Sequence, residues 1–443
     1  MTSESIALSR LKELAANAAD VISAEKYVRL ISHNDADGIT SAGILCKALM
    51  KKGIRFQTSI VSRLSQDTID IVKNSVSEGD LVIFCDMGSG QADILKQIEN
   101  DIIVIDHHMP VGDSPAKVVV NPHYTGIDGA IYLSASGATY LVAKEMDSGN
   151  TDLAGLAIAG AVGDKQLFEN ANLYILDEAI KAGVISVKKG LKVGDGDIAD
   201  VLDYTPEPYL DITGDRKKIN DFLEILGVKG KLSEMQQEDI KKLTSAVALK
   251  LAKHASPEAV DAAIGDIYYL ERELVNNVYD FVAMLNTCGK LEQAGLALSM
   301  CLQDASVMDE IRQLTIDHQK SIVASIKQAE GMLQKGKNIW YIIAKDMDNT
   351  GIISSTVVRY IHPEKPCIVA NQVDEIVKVS GRGTRALINK GLDLAYAMRE
   401  GALAVGGQGG GHNIASGASI PPGKVQEFID ILDEIIGQQL GER

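Results

Sequence analysis

Asp101-Ile102-Ile103-Val104-Ile105-Asp106-His107-His108 is the stretch on which the fold of this chain turns. A short run of β-branched residues bounded by polar ones reads as a buried parallel strand. It ends in a carboxylate and two imidazoles, the side chains that hold divalent metals and move protons near neutral pH. The arrangement recurs. An apolar run over 27–32 delivers His33-Asn34-Asp35-Ala36-Asp37-Gly38, and one over 81–85 delivers Asp86-Met87-Gly88-Ser89-Gly90. A third, over 118–120, ends in Asn121-Pro122-His123.

Between these strands the pattern switches to helical spacing, over about 40–52, 68–76, 136–146 and 153–162, the last ending in Gly163-Asp164. Gly53 suits the first helix's C-terminus. Strands alternating with helices predict a parallel α/β sheet with right-handed crossovers. Ligands bind such sheets beyond the carboxyl ends of the strands. His33, Asp35, Asp37, Asp86 and Asp106-His107-His108 all fall there, so one rim collects most of the chain's metal-type side chains.

Composition narrows the class. With 443 residues the chain is too long for one core. Its five cysteines are scattered and never paired as CxxC, which points to reduced core thiols in a cytoplasmic protein. No apolar run of about 18 residues is present to span a membrane, and the polar N-terminus has no signal-peptide character. The net charge of −16 argues against a general nucleic-acid coat. The charge is uneven: residues 329–443 hold 12 Lys+Arg and 13 Asp+Glu, a balance of −1, so the rest carries −15. The C-terminal part is the better place to hold a polyanion.

From about Gly190 the pattern changes. Asp195, Asp197, Asp200, Asp203, Glu207 and Asp211 precede the next basic residue, Arg216. The stretch lacks the glycine and final glutamate of a calcium loop and reads as solvated surface. Helical patterns follow over 217–252, 257–285 and 275–326, with no catalytic constellation. Apolar runs over 339–343, 367–370 and 375–380 then predict strands, with helices over 351–361, 386–398 and 424–440. The glycine-rich stretch 406–417, Gly-Gly-Gln-Gly-Gly-Gly-His-Asn-Ile-Ala-Ser-Gly, reads as a loop whose amides could nest an anion. Arg382 could pair with a phosphate bidentately.

A single aspartate after a strand is most often a helix cap, and a glycine run can equally be a simple tight turn. It is the convergence of several such motifs on one rim that points to chemistry. His33-x-Asp35-x-Asp37-Gly38 places three ligand types within five residues, and Asp86, His107 and Asp164 add more. Oxygen and imidazole donors without thiolate favour Mn²⁺ or Mg²⁺. Two such ions about 3.5–4 Å apart suit an in-line phosphoryl displacement.

In this order, HNDADG (33–38), DMGS (86–89), DHH (106–108), GD (163–164) and GGGHNIASG (409–417) resemble the DHH phosphoesterase superfamily. The last motif, with Ser380-Gly381-Arg382, is similar to its DHH-associated C-terminal domain. The resemblance spans roughly 27–170 and 335–420. It implies an α/β fold in three parts: a parallel-sheet catalytic domain over 1–190, a helical insertion over 191–328, and a smaller α/β substrate-binding domain over 329–443. In the family the active site lies in the cleft between the first and last. It further implies two Mn²⁺ or Mg²⁺ ions held by His33, Asp35, Asp37, Asp86, His107 and Asp164, with Asp86 as bridge. His108 is then the residue facing the scissile phosphate and Asp106 its support. Arg382, Gly409, Gly410, Gly411 and His412 are the implied substrate clamp.

Length and insertion look most like archaeal RecJ-like nucleases, including those associated with the GINS replication complex. His33 stands where bacterial RecJ tends to have aspartate. The related eukaryotic replication-helicase subunit has lost metal ligands that this chain keeps. The implied activity is exonucleolytic removal of nucleotides from single-stranded DNA or RNA, in repair or replication, with GINS or other replication proteins as partners. The alternatives are a nano-RNase or pAp-type small-substrate phosphatase, and a replisome scaffold with secondary nuclease activity.

Overall fold

The computed structural model describes residues 3–441. Contacts divide them into two compact units. The first runs to Lys188 and resumes over Ile267–Thr315; the second comprises Lys189–Asp266 and the chain from Ile316 onward.

The first unit is a three-layer α/β sandwich. Helix α1 (Ser3–Ser23) leads into β1 (Tyr27–His33), α2 (Ala36–Lys52), β2 (Arg55–Val61), α3 (Gln66–Ser75), β3 (Leu81–Cys85), α4 (Ala92–Leu95), β4 (Ile102–Ile105) and β5 (Val118–Val120). The five strands form one sheet in the order β2-β1-β3-β4-β5, with every pairing parallel. Alternation sorts the side chains. Leu30, Ile83, Ile103 and Ile105 enter the larger core, while Ile31, Val82, Phe84 and Val104 enter a smaller one with Ile69, Val72 and Leu95. Burying each is worth about 1.5–3 kcal/mol. Central β3 and β4 are wholly buried, whereas β2, rich in Arg, Gln, Thr and Ser, is a half-exposed edge.

Helices α5 (Ala135–Met146), α6 (Ala154–Gly163) and α7 (Asn170–Lys181) follow. Small residues let α2 and α6 approach their neighbours closely. A Cβ at Gly43 would lie 2.8 Å from Cys301 Cβ, and one at Gly163 would lie 2.8 Å from Ala36 Cβ. Gly53, at φ 69°, ends α2 as expected. The chain leaves through β6 (Ile185–Leu191) and later returns through β7 (Ile264–Leu270) to α12 (Val278–Lys290) and α13 (Ala294–Cys301). Both strands correct the sequence reading, which had no strand at 185–191 and a continuous helix over 257–285; they pair with each other.

The second unit contains α8 (Ile198–Tyr204), α9 (Arg216–Leu226), α10 (Gln237–Leu251) and α11 (Pro257–Ala263), and is entered again along α14 (Met308–Glu330). Its sheet uses β8 (Gln334–Lys335), β9 (Trp340–Lys345), β10 (Cys367–Val373), β11 (Ile376–Arg382), β12 (Gln408–Gly411) and β13 (Ala415–Ile420), in the order β12-β13-β11-β10-β9-β8. Only β9–β10 is parallel. Ile342, Cys367 and Val369 face a core shared with the 191–263 segment. Ile368, Ala370, Val377 and Val379 face the opposite core, formed with the helices Leu394–Ala404 and Val425–Gln439. The stretch expected as a glycine loop is mostly strand: Gly409, Gly410 and Gly411 register with Ala418, Gly417 and Ser416.

Candidate metal centre

The chain order β1, then β2 on one side, then β3 on the other makes the β1/β3 boundary a topological switch point. Loops diverge there and leave room for a ligand. His33 and the following turn come from β1, Asp86 from the end of β3, and Asp106-His107-His108 from the end of β4.

The turn after β1 combines a cap with a site. Asp35 caps α2 through Oδ1, which accepts from the Gly38 amide at 3.0 Å. Its Oδ2 lies 2.9 Å from His33 Nδ1. A Cβ at Gly38 would fall 2.4 Å from the His33 carbonyl, so the turn can close only on glycine. Asn286 on α12 accepts from the Ala36 amide at 2.9 Å, and Asn34 donates to the Gly289 carbonyl at 3.0 Å. Asp37 is fully buried. Its carboxylate accepts from the Ala135 and Ser136 amides, at 2.7 and 2.9 Å, at the N-terminus of α5.

Asp86 is the hub. Its backbone adopts φ 58°, a strained conformation for a residue other than glycine. Both carboxylate oxygens are buried without an aligned hydrogen-bond donor. His33 Nδ1 and His107 Nε2 each lie 3.3 Å away, and His108 Nδ1 lies 3.8 Å away. His107 Nε2 also lies 3.4 Å from Asp164 and 3.9 Å from Asp37. The ligand-type atoms fall into overlapping groups, each within 4.8 Å: His33, Asp35 and Asp86; Asp37, His107 and Asp164; and Asp86, His107 and His108.

Charge follows this crowding. Burial pushes the Asp86 carboxyl up to about 6, only partly countered by the His107 and His33 rings. Burial, with Asp37 close by, also raises Asp164. Burial works against protonating His33 and His107, yet Asp35 and Asp86 lift the first to about 10, and Asp86 with Asp37 lifts the second to about 11. Asp35 falls to about 2, where His33 and the Gly38 amide outweigh burial. A buried carboxylate with two undirected oxygens, set between two imidazole rings and further carboxylates, fits divalent metal. Hard oxygen and borderline nitrogen donors, with no thiolate, suit Mn²⁺ or Mg²⁺.

Asp106 sits one layer behind. Oδ1 accepts from the His107 and His108 amides and lies 2.8 Å from His108 Nδ1, and Oδ2 accepts from the Ser89 amide. Burial opposes its ionisation, but His108 holds it well below the usual carboxylate range. It thereby orients His108, whose side chain is 56% exposed.

Several supports had no distinct sequence signal. His107 Nδ1 is 2.9 Å from the Gly129 carbonyl, which fixes the tautomer that turns Nε2 towards the carboxylates. Gln166 donates to the same carbonyl at 2.8 Å and accepts from Asn172. Asn121 donates to Ser89 Oγ and to the His108 carbonyl, both at 2.9 Å. Its place directly after a strand was the one available hint. Arg63 is exposed two residues beyond Val61, the β2 partner of His33, and its guanidinium has no ion-pair partner among the described residues.

The remaining expected residues belong to the second unit. Arg382 ends β11 and donates from Nη1 to its neighbour's carbonyl, Gly381, at 2.9 Å. Gly409, Gly410 and Gly411 form β12, and the His412 carbonyl accepts from Ser416 Oγ at 2.6 Å.

Residues 27–161 match the DHH family N-terminal domain, and 332–438 match the DHHA1 domain. An uncharacterized protein of Methanocaldococcus jannaschii is 34% identical over 423 residues, 94% of each chain. The single-stranded-DNA-specific exonuclease RecJ of Bacillus subtilis is 23% identical over 98% of this chain, which spans 48% of that relative's length. Among solved structures, CDC45 of Entamoeba histolytica superposes with a TM-score of 0.66 at 14% identity, covering 97% of this chain and 99% of that one. RecJ of Thermus thermophilus in complex with Mn²⁺ superposes with a TM-score of 0.62 at 16% identity, covering 97% and 55%.

Proposed function

The chain belongs to the DHH superfamily, as a RecJ-like member, and from that premise we propose that it is a divalent-metal-dependent exonuclease acting on single-stranded DNA or RNA. The observation that carries the proposal is Asp86, a buried carboxylate with two undirected oxygens between His33 and His107. His33, Asp35 and Asp86 would hold one cation, and Asp37, His107 and Asp164 a second, with Asp86 shared. Bound there, Mn²⁺ or Mg²⁺ would neutralise the scissile phosphate and lower the pKa of the attacking water. The RecJ relative's name and the Mn²⁺ complex of the structural neighbour support this choice of substrate and ion.

The protein's own residues have separable tasks. Asp106 holds His108 through Nδ1, leaving Nε2 to face a phosphate oxygen or pass a proton. Arg63, cationic beside a rim crowded with carboxylates, would contact the phosphate that follows the cleaved bond. Arg382, Gly409, Gly410, Gly411 and His412 would hold substrate from the second unit. On this reading residues 1–190 are catalytic, 191–328 an insertion with connecting helices, part of which would dock GINS or another replication protein, and 329–443 substrate-holding.

The test is a Mn²⁺ assay on 5′- and 3′-labelled DNA and RNA strands, dinucleotides and pAp. Wild type should shorten the strands, and Asp37→Ala or His107→Ala should abolish the activity. Intact strands with hydrolysed dinucleotides or pAp would move the assignment to a small-substrate phosphatase.

A further inference from the structure

The loops that carry the metal-centre side chains also carry apolar ones left in solvent. Five of the eighteen large apolar side chains exposed among the described residues lie within 109–131 and at 167. They are Met109 (65% exposed), Val111 (60%), Tyr124 (53%), Ile131 (37%) and Leu167 (49%). Scattered apolar exposure is ordinary, but exposed apolar side chains that recur in the loops beside one site call for a partner.

Each is tied by backbone to the centre. Met109 directly follows His108, and the Val111 amide donates to the Ser89 carbonyl at 2.8 Å, next to the bond from Ser89 to Asp106. The Tyr124 amide donates to the carbonyl of Asn121, whose side chain holds the His108 carbonyl. The Leu167 amide donates to the Ile131 carbonyl at 2.9 Å, one step from Gln166 and two from Gly129, the pair that orients His107. All five follow β4, β5 or α6 at the rim where the ligand groups gather. The Tyr124 hydroxyl makes no hydrogen bond among the described residues.

We propose that these five side chains form an apolar collar at the mouth of the metal centre, on which the nucleobases of the terminal residues of a single strand stack. The assignment rests on the exonuclease reading. Phosphates approach such a centre where cations and donors meet them, at the metal positions, His108 and Arg63, which leaves the bases to find other partners. Bases are flat, uncharged and apolar on both faces, so they match a fixed apolar surface whatever their identity. A duplex end, whose terminal bases are already stacked and paired, gains far less. The collar therefore accounts for single-strand preference without base-specific contacts.

Binding is measured by fluorescence anisotropy with Mn²⁺, using a phosphorothioate oligodeoxynucleotide and a counterpart whose terminal residues are abasic. Stacking on alanine-sensitive platforms contributes on the order of tenfold in affinity per base. Wild type should bind the base-bearing strand about tenfold more tightly than the abasic one. The double variant Tyr124→Ala, Leu167→Ala should bring that ratio close to one while keeping the Mn²⁺-induced rise in melting temperature, and Tyr124→Trp should preserve the ratio. Equal wild-type affinity for the two strands, no binding of either, or a ratio unchanged in the double variant would overturn the collar. Failure to shorten an ordinary phosphodiester strand would instead remove the exonuclease reading, while the affinity ratio still decides the collar.

Discussion

Replacing Gly160 by alanine should disarm the metal centre without altering any side chain that carries chemistry. Gly160 lies in α6 where that helix crosses the start of α5. An added Cβ would sit 2.0 Å from Ser136 Oγ, 2.8 Å from Ser136 Cβ and 2.4 Å from Asp37 Oδ1. Ordinary contact begins near 3.4 Å, so the carboxylate must retreat by about 1 Å. Asp37 is fully buried and held by two amide donors at 2.7 and 2.9 Å, so the retreat strains both bonds. Overpacking costs about 1–3 kcal/mol, offset by about 1 kcal/mol because alanine favours helix over glycine. The fold should survive with a net loss of roughly 0–2 kcal/mol. Function should suffer more: a displacement of about 1 Å costs roughly a hundredfold in rate, and disturbed ligand geometry costs about 10–100-fold in metal affinity. Calorimetric Mn²⁺ titration and strand-cleavage rates read the two effects. Gly43→Ala is the control, since its Cβ would press on Cys301 Cβ at 2.8 Å, away from the ligands. It should lower stability and leave Mn²⁺ affinity intact. Wild-type affinity and rate in Gly160→Ala, or an equal loss of affinity in Gly43→Ala, would refute the reasoning.

Mn²⁺ binding near pH 7 should release protons, because His33 and His107 hold theirs up to about 10 and 11 and can ligate only when neutral; titrations in buffers of different ionisation enthalpy measure the release, and none at all would contradict the assigned ligands. Glu273, with a side chain 1% exposed, is pushed by burial from an ordinary 4.5 up to about 7, despite Lys47 beside it. A raised carboxyl pKa means the folded state binds the extra proton, so this group costs stability as pH climbs from about 4.5 through about 7. Glu273→Gln should thus match wild type in urea unfolding at pH 4.5 and exceed it by up to about 3 kcal/mol at pH 8; a difference independent of pH would count against it. Arg29 is buried without a carboxylate partner among the described residues, donating to Ser75 Oγ, Ser59 Oγ and the Leu30 and Gln57 carbonyls. Arg29→Ala should cost about 2–5 kcal/mol by opening a cavity, and Arg29→Met distinctly less, since an apolar chain of similar length can fill the site; equal losses by chemical denaturation would show that packing there is unimportant.

Much of the rim was legible from the chain alone, because it depends on local pattern. Buried parallel strands are continuous β-branched runs, and whatever follows such a run lands on the same edge of the sheet. His33, Asp35, Asp37, Asp86, Asp106, His107 and His108 could therefore be placed from spacing, and Asp164 from the end of a small-residue helix. The parallel sheet, the separate C-terminal sheet and the family resemblance followed from the same local signals.

What tertiary structure alone decided lies in pairings between residues far apart in the chain. Gly409, Gly410 and Gly411 have no side chains to signal a strand, and only registry with 416–418 makes them one. β7 was hidden in an amphipathic pattern that suits a helix until β6 offers a partner. Gln166, Asn121 and Gly129 look like ordinary loop residues until folding sets them against His107 and His108. Gly160 is the clearest case: it reads as a small residue in a buried helix, and its role is the space it leaves for Asp37, a residue 123 positions earlier. Chemical type and periodicity are written along the chain; register, tautomer and free volume exist only once distant segments touch.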